Sequence, residues 1–172
     1  MISQKMQDAI NDQINYELYS AYIYLSMSAY FNSLNLPGFA NWMRVQTQEE
    51  TVHAMKFFDF VNERGGDVLL KTIEGPATSW ASPLEPFEVA LEHEQKVTAR
   101  INNLVDVAIA ERDHATNIFL QWFVTEQVEE ESSADNIIRQ LKLIGEDRSA
   151  LFMIDRELAA RVFVPPVPAS GA

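Results

Sequence analysis

The sequence predicts an all-α four-helix bundle with a long crossover between its second and third helices and a short fifth helix on the C-terminal side. Three observations carry that prediction. Glycine and proline gather at 37–38, 65–66, 75–76, 83, 86, 145 and the C-terminal end, and so cut the 172-residue chain into long uninterrupted segments. Inside four of those segments, apolar residues return at alternating steps of three and four, the period of a helix that buries one face. One connection, 65–82, is much longer than a hairpin needs.

Helix α1 is expected over 3–34, with Ile10, Ile14, Glu17, Ala21, Tyr24, Ser28 and Phe31 along its inner face. Helix α2, over 38–64, steps through Phe39, Met43, Gln46, Glu50, His53, Phe57 and Phe60. The reading for α3, over 84–111, is Phe87, Ala90, Glu94, Val97, Ile101, Leu104 and Ala108. For α4, over 113–144, it is Thr116, Phe119, Phe123, Gln127, Glu130, Ala134, Ile137 and Leu141. A shorter α5 is expected over 146–162. Turns at Asn35–Pro37 and near Arg112 pair α1 with α2 and α3 with α4 as antiparallel hairpins. The stretch GGDVLLKTIEGPATSWAS, extended at about 3.3 Å per residue, can instead travel the ~40 Å of the bundle and set α2 parallel to α3. The bundle and fifth helix take up 1–163, and 164–172 is a proline-rich tail expected to leave the globule, with no function assigned to it.

Composition excludes several chemistries. With no cysteine there is no disulfide framework, thiolate zinc site or thiol nucleophile, so any metal rests on carboxylate and imidazole. Twenty-five acidic residues against 13 basic give a formal charge of −12, which disfavours nucleic acid and anionic membrane as partners and draws cations. No apolar run approaches the roughly 20 residues of a membrane span. The opening MISQKMQDAI has neither a basic nor an apolar leader region, and a cytoplasmic location is expected.

The inner faces themselves raise the functional question. Each long helix places a carboxylate in its apolar stripe near mid-length: Glu17, Glu50, Glu94 and Glu130, with His53 one turn from Glu50. A lone ExxH is ordinarily structural. Four buried carboxylates at one level are another matter, because burying one unpaired carboxylate costs several kcal/mol and like charges oppose ionisation further. The basic residues Arg44, Lys56, Lys96, Arg100, Arg112 and Arg139 lie off the stripes, on faces expected to meet solvent or another subunit. Two divalent cations balance the four charges, and hard oxygen ligands with one imidazole suit iron or manganese. Glu50 is placed to bridge two ions, while His53 binds one.

These residues carry a resemblance. QEETVHAMKFF (48–58), NYELYSAYIYLS (15–26) and FLQWFVTEQVEEE (119–131) are similar to the non-haem ferritins of bacteria and archaea, over about 3–163 of the chain. The resemblance implies a ferritin-like bundle with a ferroxidase centre: Glu17, Glu50 and His53 on one iron, and Glu50, Glu94 and Glu130 on the other, with Gln127 and Tyr24 beside them. It also implies a third iron site at Glu49, Glu126 and Glu129, although a charge run such as 129–131 is as readily a solvated face. Tyr24 serves equally as a core filler or as a redox partner. Further implications are oxidation of Fe(II) by dioxygen, ferric mineral deposition, and a homo-oligomeric hollow shell of 24 subunits closed in part by EDRSALFMIDRELAARV (146–162). Ser133 stands where a haem-binding relative carries a second ExxH histidine, and no haem is expected. His93 and His114 are expected at the surface, and Trp42, Trp80 and Trp122 as packing or interface anchors.

Three rival readings fit the sequence less well. A di-iron oxidase or peroxidase without storage would ordinarily bring a cysteine-rich electron-delivery domain, a DNA-coating relative carries a helix in the 65–82 connection, and a purely structural bundle must explain four buried glutamates without counter-charge.

Overall fold

A computed structural model describes residues 1–165, and the C-terminal part of the predicted tail, 166–172, lies outside the described residues. The helices are α1 (Gln4–Ser33), α2 (Pro37–Glu63), α3 (Glu85–Ala110), α4 (His114–Ile144) and α5 (Arg148–Leu158). No strand interrupts them among the described residues.

Local chemistry sets the ends. Ser3 accepts the amide of Met6 at the start of α1, Asp113 accepts that of Thr116 at the start of α4, and Asp147 caps α5. Pro37 and Pro86 open α2 and α3, where the missing N–H costs nothing. The two tight turns reverse the chain through Asn35 and Arg112, both with φ near +57°. Arg64 clamps the far end of the bundle by pairing with Asp113 at 3.1 Å and donating to Thr116.

The crossover from 65 to 82 spans the bundle along α1. Gln7, Asn11 and Asn15, four residues apart on α1, take successive rungs of it. Asp67 N donates to Gln7, Asn11 binds both Asp67 O and Leu69 N, and Asn15 binds Leu69 O and Lys71 N. The registers match because four helical residues advance about 6 Å and two extended residues about 6.6 Å. Ser26 and Tyr30 continue the anchorage at Ala77 O and Trp80 O, where the rings of Tyr30 and Trp80 also meet. The connection thus has side-chain partners for a backbone with no sheet of its own, and it delivers α3 parallel to α2.

Every residue of the α1, α2 and α3 stripes is buried, as are all those of α4 except Phe119, which is partly buried. The apolar core is in two pieces. One holds Tyr24, Met27, Phe31, Phe39, Met43, Phe87 and Leu141, and the other Ile10, Ile14, Phe57, Val97, Ile101, Leu120 and Phe123. Between them lies a polar layer of Gln13, Glu17, Gln46, Glu50, His53, Glu94, Gln127 and Glu130.

Two expectations need correction. Helix α5 stops at Leu158 instead of 162, because the Asn41 amide captures the carbonyls of Leu158 and Arg161 and turns the chain along α2. His93 is buried, 6% exposed, where a surface position was expected: it stacks on Tyr16 and lies 2.7 Å from Ser20 Oγ, since small Ser20 leaves room for an imidazole between α1 and α3. His114 is exposed. Trp42 is buried in the core and Trp80 and Trp122 are half-buried, all three packed within the chain.

Helix α5 is fastened to α2 by one carboxylate. Asp155, 5% exposed, accepts the amides of Gly38 and Phe39 at 2.7 and 3.1 Å, capping α2 from another element. A Cβ on Gly38 would stand 1.6 Å from Asp155 O, so only glycine permits this approach. Gly38→Ala is therefore expected to undock α5 while leaving the four long helices folded. Hydrogen exchange checks it: amides of 150–158 should exchange at least about tenfold faster, with α1 and α4 unchanged.

Candidate metal centre

The centre lies where α1, α2, α3 and α4 pass one another between the two apolar clusters. Glu17 and Glu50 are 0% and 1% exposed, and Glu94 and Glu130 are buried with them. One ligand atom each from Glu17, Glu50 and His53 lie within 4.8 Å of one another, and His53, Glu126 and Glu130 form a second such group. His53 joins both: Nδ1 is 3.6 Å from Glu50 Oε2, and Nε2 is 3.9 Å from Glu126 Oε1.

Three of the four carboxylates are steadied by neutral donors. Gln13 donates to Glu17 at 2.8 Å and is itself held by Arg100, whose Nε donates to Gln13 Oε1. Gln46 donates to Glu130 at 2.8 Å. Glu94 accepts from Tyr24 at 2.5 Å through one oxygen and from Gln127 at 3.1 Å through the other, which keeps it out of both ligand groups. Glu50 differs from all of these. Both its oxygens are buried with no donor, as is Glu17 Oε2.

Burial dominates the electrostatics. It raises Glu17 to about 7 and Glu130 to about 8, and lifts Glu94 and, well above the ordinary range, Glu50. Glu17 and Glu50 face each other, and beyond burial the charges of Glu94 and Glu17 push Glu50 up further. Burial also holds His53 down to about 4, which leaves its imidazole neutral and able to ligate near pH 7.

The proposed third-site residues are distributed unevenly. Glu126 is half-buried and reaches His53, whereas Glu129 is exposed and joins neither group. Glu49 is partly buried and paired with Arg161 at 2.6 Å. From sequence Arg161 falls inside α5 with no role; the helix stops at Leu158, and the chain beyond it brings Arg161 back to α2. Gln13 and Gln46 were more legible, each standing four residues before a core glutamate on its own helix.

Comparison with known proteins identifies the family. The ferritin-like domain family matches residues 7–144. A bacterial non-heme ferritin of Bacteroides fragilis is 46% identical over 161 residues, 94% of this chain and all of that one. The chain belongs to the ferritin family. A second bacterial non-heme ferritin, from Staphylococcus saprophyticus, is 42% identical over 163 residues, 95% of this chain and 98% of that one. Among solved structures, an open pore ferritin from the hyperthermophilic archaeon Archaeoglobus fulgidus is similar with a TM-score of 0.93 at 59% identity, covering 94% of this chain and all of that one. A humanized archaeal ferritin gives 0.95 at 58% identity, covering 96% of this chain and all of that one. Family membership makes this an iron-storage fold, and the orphaned oxygens of Glu50 and Glu17, with a neutral imidazole beside them, fit hard divalent cations.

Without metal, the carboxylate layer should weaken the fold at high pH. Above the ordinary carboxylate value of 4.5, unfolded glutamates release protons that the folded layer still holds, so metal-free stability falls as pH rises toward the raised values. Glu50→Gln removes one such group and supplies a donor to Glu17. Urea unfolding in chelator should find the variant more stable than wild type. Its advantage should widen as the pH rises above about 5.

Proposed function

We propose that this chain stores and detoxifies iron, oxidising Fe(II) with dioxygen at Glu17, Glu50, His53, Glu94 and Glu130 and passing ferric iron to a mineral within a homo-oligomeric shell of 24 subunits. The observation that carries the reading is Glu50: a 1% exposed carboxylate with no donor on either oxygen, flanked by three more carboxylates. Ferrous ions are the substrate. Two of them side by side can give dioxygen two electrons at once, which a single ferrous ion cannot.

The residues divide the work by position. Glu17 and His53 bind one ion and Glu94 and Glu130 the other, with Glu50 between. The helix backbones fix the spacing of these side chains before iron arrives, and Glu94 has to turn toward the second ion from its hold on Tyr24 and Gln127. Entry of each ion displaces protons held in the layer, and Gln13, Gln46 and Gln127 keep the carboxylates oriented as that charge changes. Tyr24, hydrogen-bonded to Glu94, is placed to supply a proton or an electron at the second position. The Glu126 side is the way out, since His53 touches both groups and Glu126 is the half-buried member. Glu49, Glu126 and Glu129 would receive iron there in a third site.

A mineral needs a container that one bundle cannot enclose, so assembly belongs to the reading. The large apolar side chains left exposed on α1 and the crossover, Tyr22, Leu25, Leu69 and Leu70, are consistent with burial between subunits. No described helix is long and apolar enough to cross a membrane, and a cytoplasmic location is part of the proposal.

Aerobic addition of Fe(II), followed by ferric absorbance and light scattering, tests the reading. Wild type should oxidise iron and retain it in a large particle. Glu50→Ala and His53→Ala should slow initial oxidation by at least about tenfold without changing particle size. Equal rates in all three proteins would refute the ferroxidase assignment, and a monomer or dimer under every salt condition would refute storage.

A further inference from the structure

The segment after α5 returns to the metal layer. Asn41 Nδ2 donates to Arg161 O at 2.9 Å, directing the chain along α2. From there the Arg161 guanidinium lies 4.6 Å from the Trp42 ring, and its Nη2 donates to Glu49 Oε2 at 2.6 Å. Its Nη1 is buried with no acceptor, so the guanidinium is only half engaged. Phe163 and Val164 follow, and with His53, Trp122 and Glu126 they line a cavity of about 190 Å³ that Glu49 also borders. This cavity thus has the metal-facing imidazole on one side and the Glu49–Arg161 pair on another.

We propose that Arg161 is a built-in counter-cation that holds Glu49 away from metal, so that the cavity beside Glu126 takes a third divalent cation tightly only when the guanidinium leaves Glu49. The inference rests on the two-ion reading of the centre and concerns the step after it. A permanent positive charge at the exit keeps Glu49 from joining Glu126 as a trap in which ferrous ions would linger. Only one of the two guanidinium Nη groups is committed to a carboxylate, and the guanidinium also rests over the Trp42 ring, so it can leave Glu49 and still be held beside α2. Exchange is then a contest between one guanidinium and one dication for a single partly buried carboxylate. Arg161 acts through Glu49, and its role is to position that carboxylate.

Anaerobic titration of metal-free protein with Co(II), read by calorimetry and by the visible absorption of bound cobalt, tests the idea. The variants are Arg161→Met, which keeps an unbranched apolar side chain without charge, Arg161→Lys, which retains charge, and Arg161→Met with Glu49→Gln. Wild type should bind two ions per subunit tightly. Arg161→Met should add a third at least about tenfold tighter than any third in wild type, Arg161→Lys should resemble wild type, and the double variant should return to two. Two ions in wild type with no tightened third in Arg161→Met would overturn this inference alone, as would a third ion that persists without Glu49. Fewer than two in wild type would overturn the reading of the centre and this inference with it.

Discussion

Four carboxylates buried at one level, with no cation of the protein's own among them, are the constraint around which this fold is arranged. A layer of that kind opposes folding, because each charge is taken from water and set against its neighbours. The chain offsets the cost with an apolar cluster on either side, the aromatics Phe31, Phe39 and Phe87 at one end and Phe57 and Phe123 at the other. Long helices follow from this requirement, since each must carry apolar residues both above and below its glutamate. The crossover follows too. Parallel α2 and α3 need a connection as long as the bundle, and the Gln7, Asn11 and Asn15 rungs hold it against α1.

Within the layer, unequal hydrogen bonding separates roles. Glu17, Glu94 and Glu130 each receive a donor that fixes the side chain, and Glu50 receives none. The group with the greatest unmet demand is therefore the one to which the proposed function gives the place between two ions. His53 is kept neutral by the same burial that raises the carboxylates. One physical cause thus prepares both ligand types: it stores protons on oxygen and removes them from nitrogen. The basic side chains that do approach, Arg100 through Gln13 and Arg161 through Glu49, act at one remove from the layer.

Much of this was legible in the sequence, for a definite reason. A helix repeats every 3.6 residues, so Glu17, Glu50, Glu94 and Glu130 could be placed on inner faces by counting, and the scarcity of glycine and proline marked the ends. The length of 65–82 implied its course. What periodicity does not carry was missed. His93 is buried because Ser20, on another helix, is small. Helix α5 ends early because Asn41, more than 100 residues away, binds its last carbonyls. Arg161 follows that early end, so the helical repeat expected through 162 could not report which way its side chain turns. Spacing also said nothing of the partners Glu94 would take: it placed Tyr24 and Gln127 on inner faces, but their shared hold on that carboxylate depends on how α1, α3 and α4 meet.

On the proposed function, the buried layer is a proton-filled site for two dications. Its most direct test is an anaerobic titration with Fe(II) in buffers of different ionisation enthalpy, which counts ions bound and protons released together. Two tight ions per subunit should bind, with protons released near pH 7 and fewer as the pH rises beyond the value of about 8 at Glu130. Tight binding with no proton release at pH 7, or a layer that takes up no ferrous ion while its carboxylates stay protonated, would contradict it.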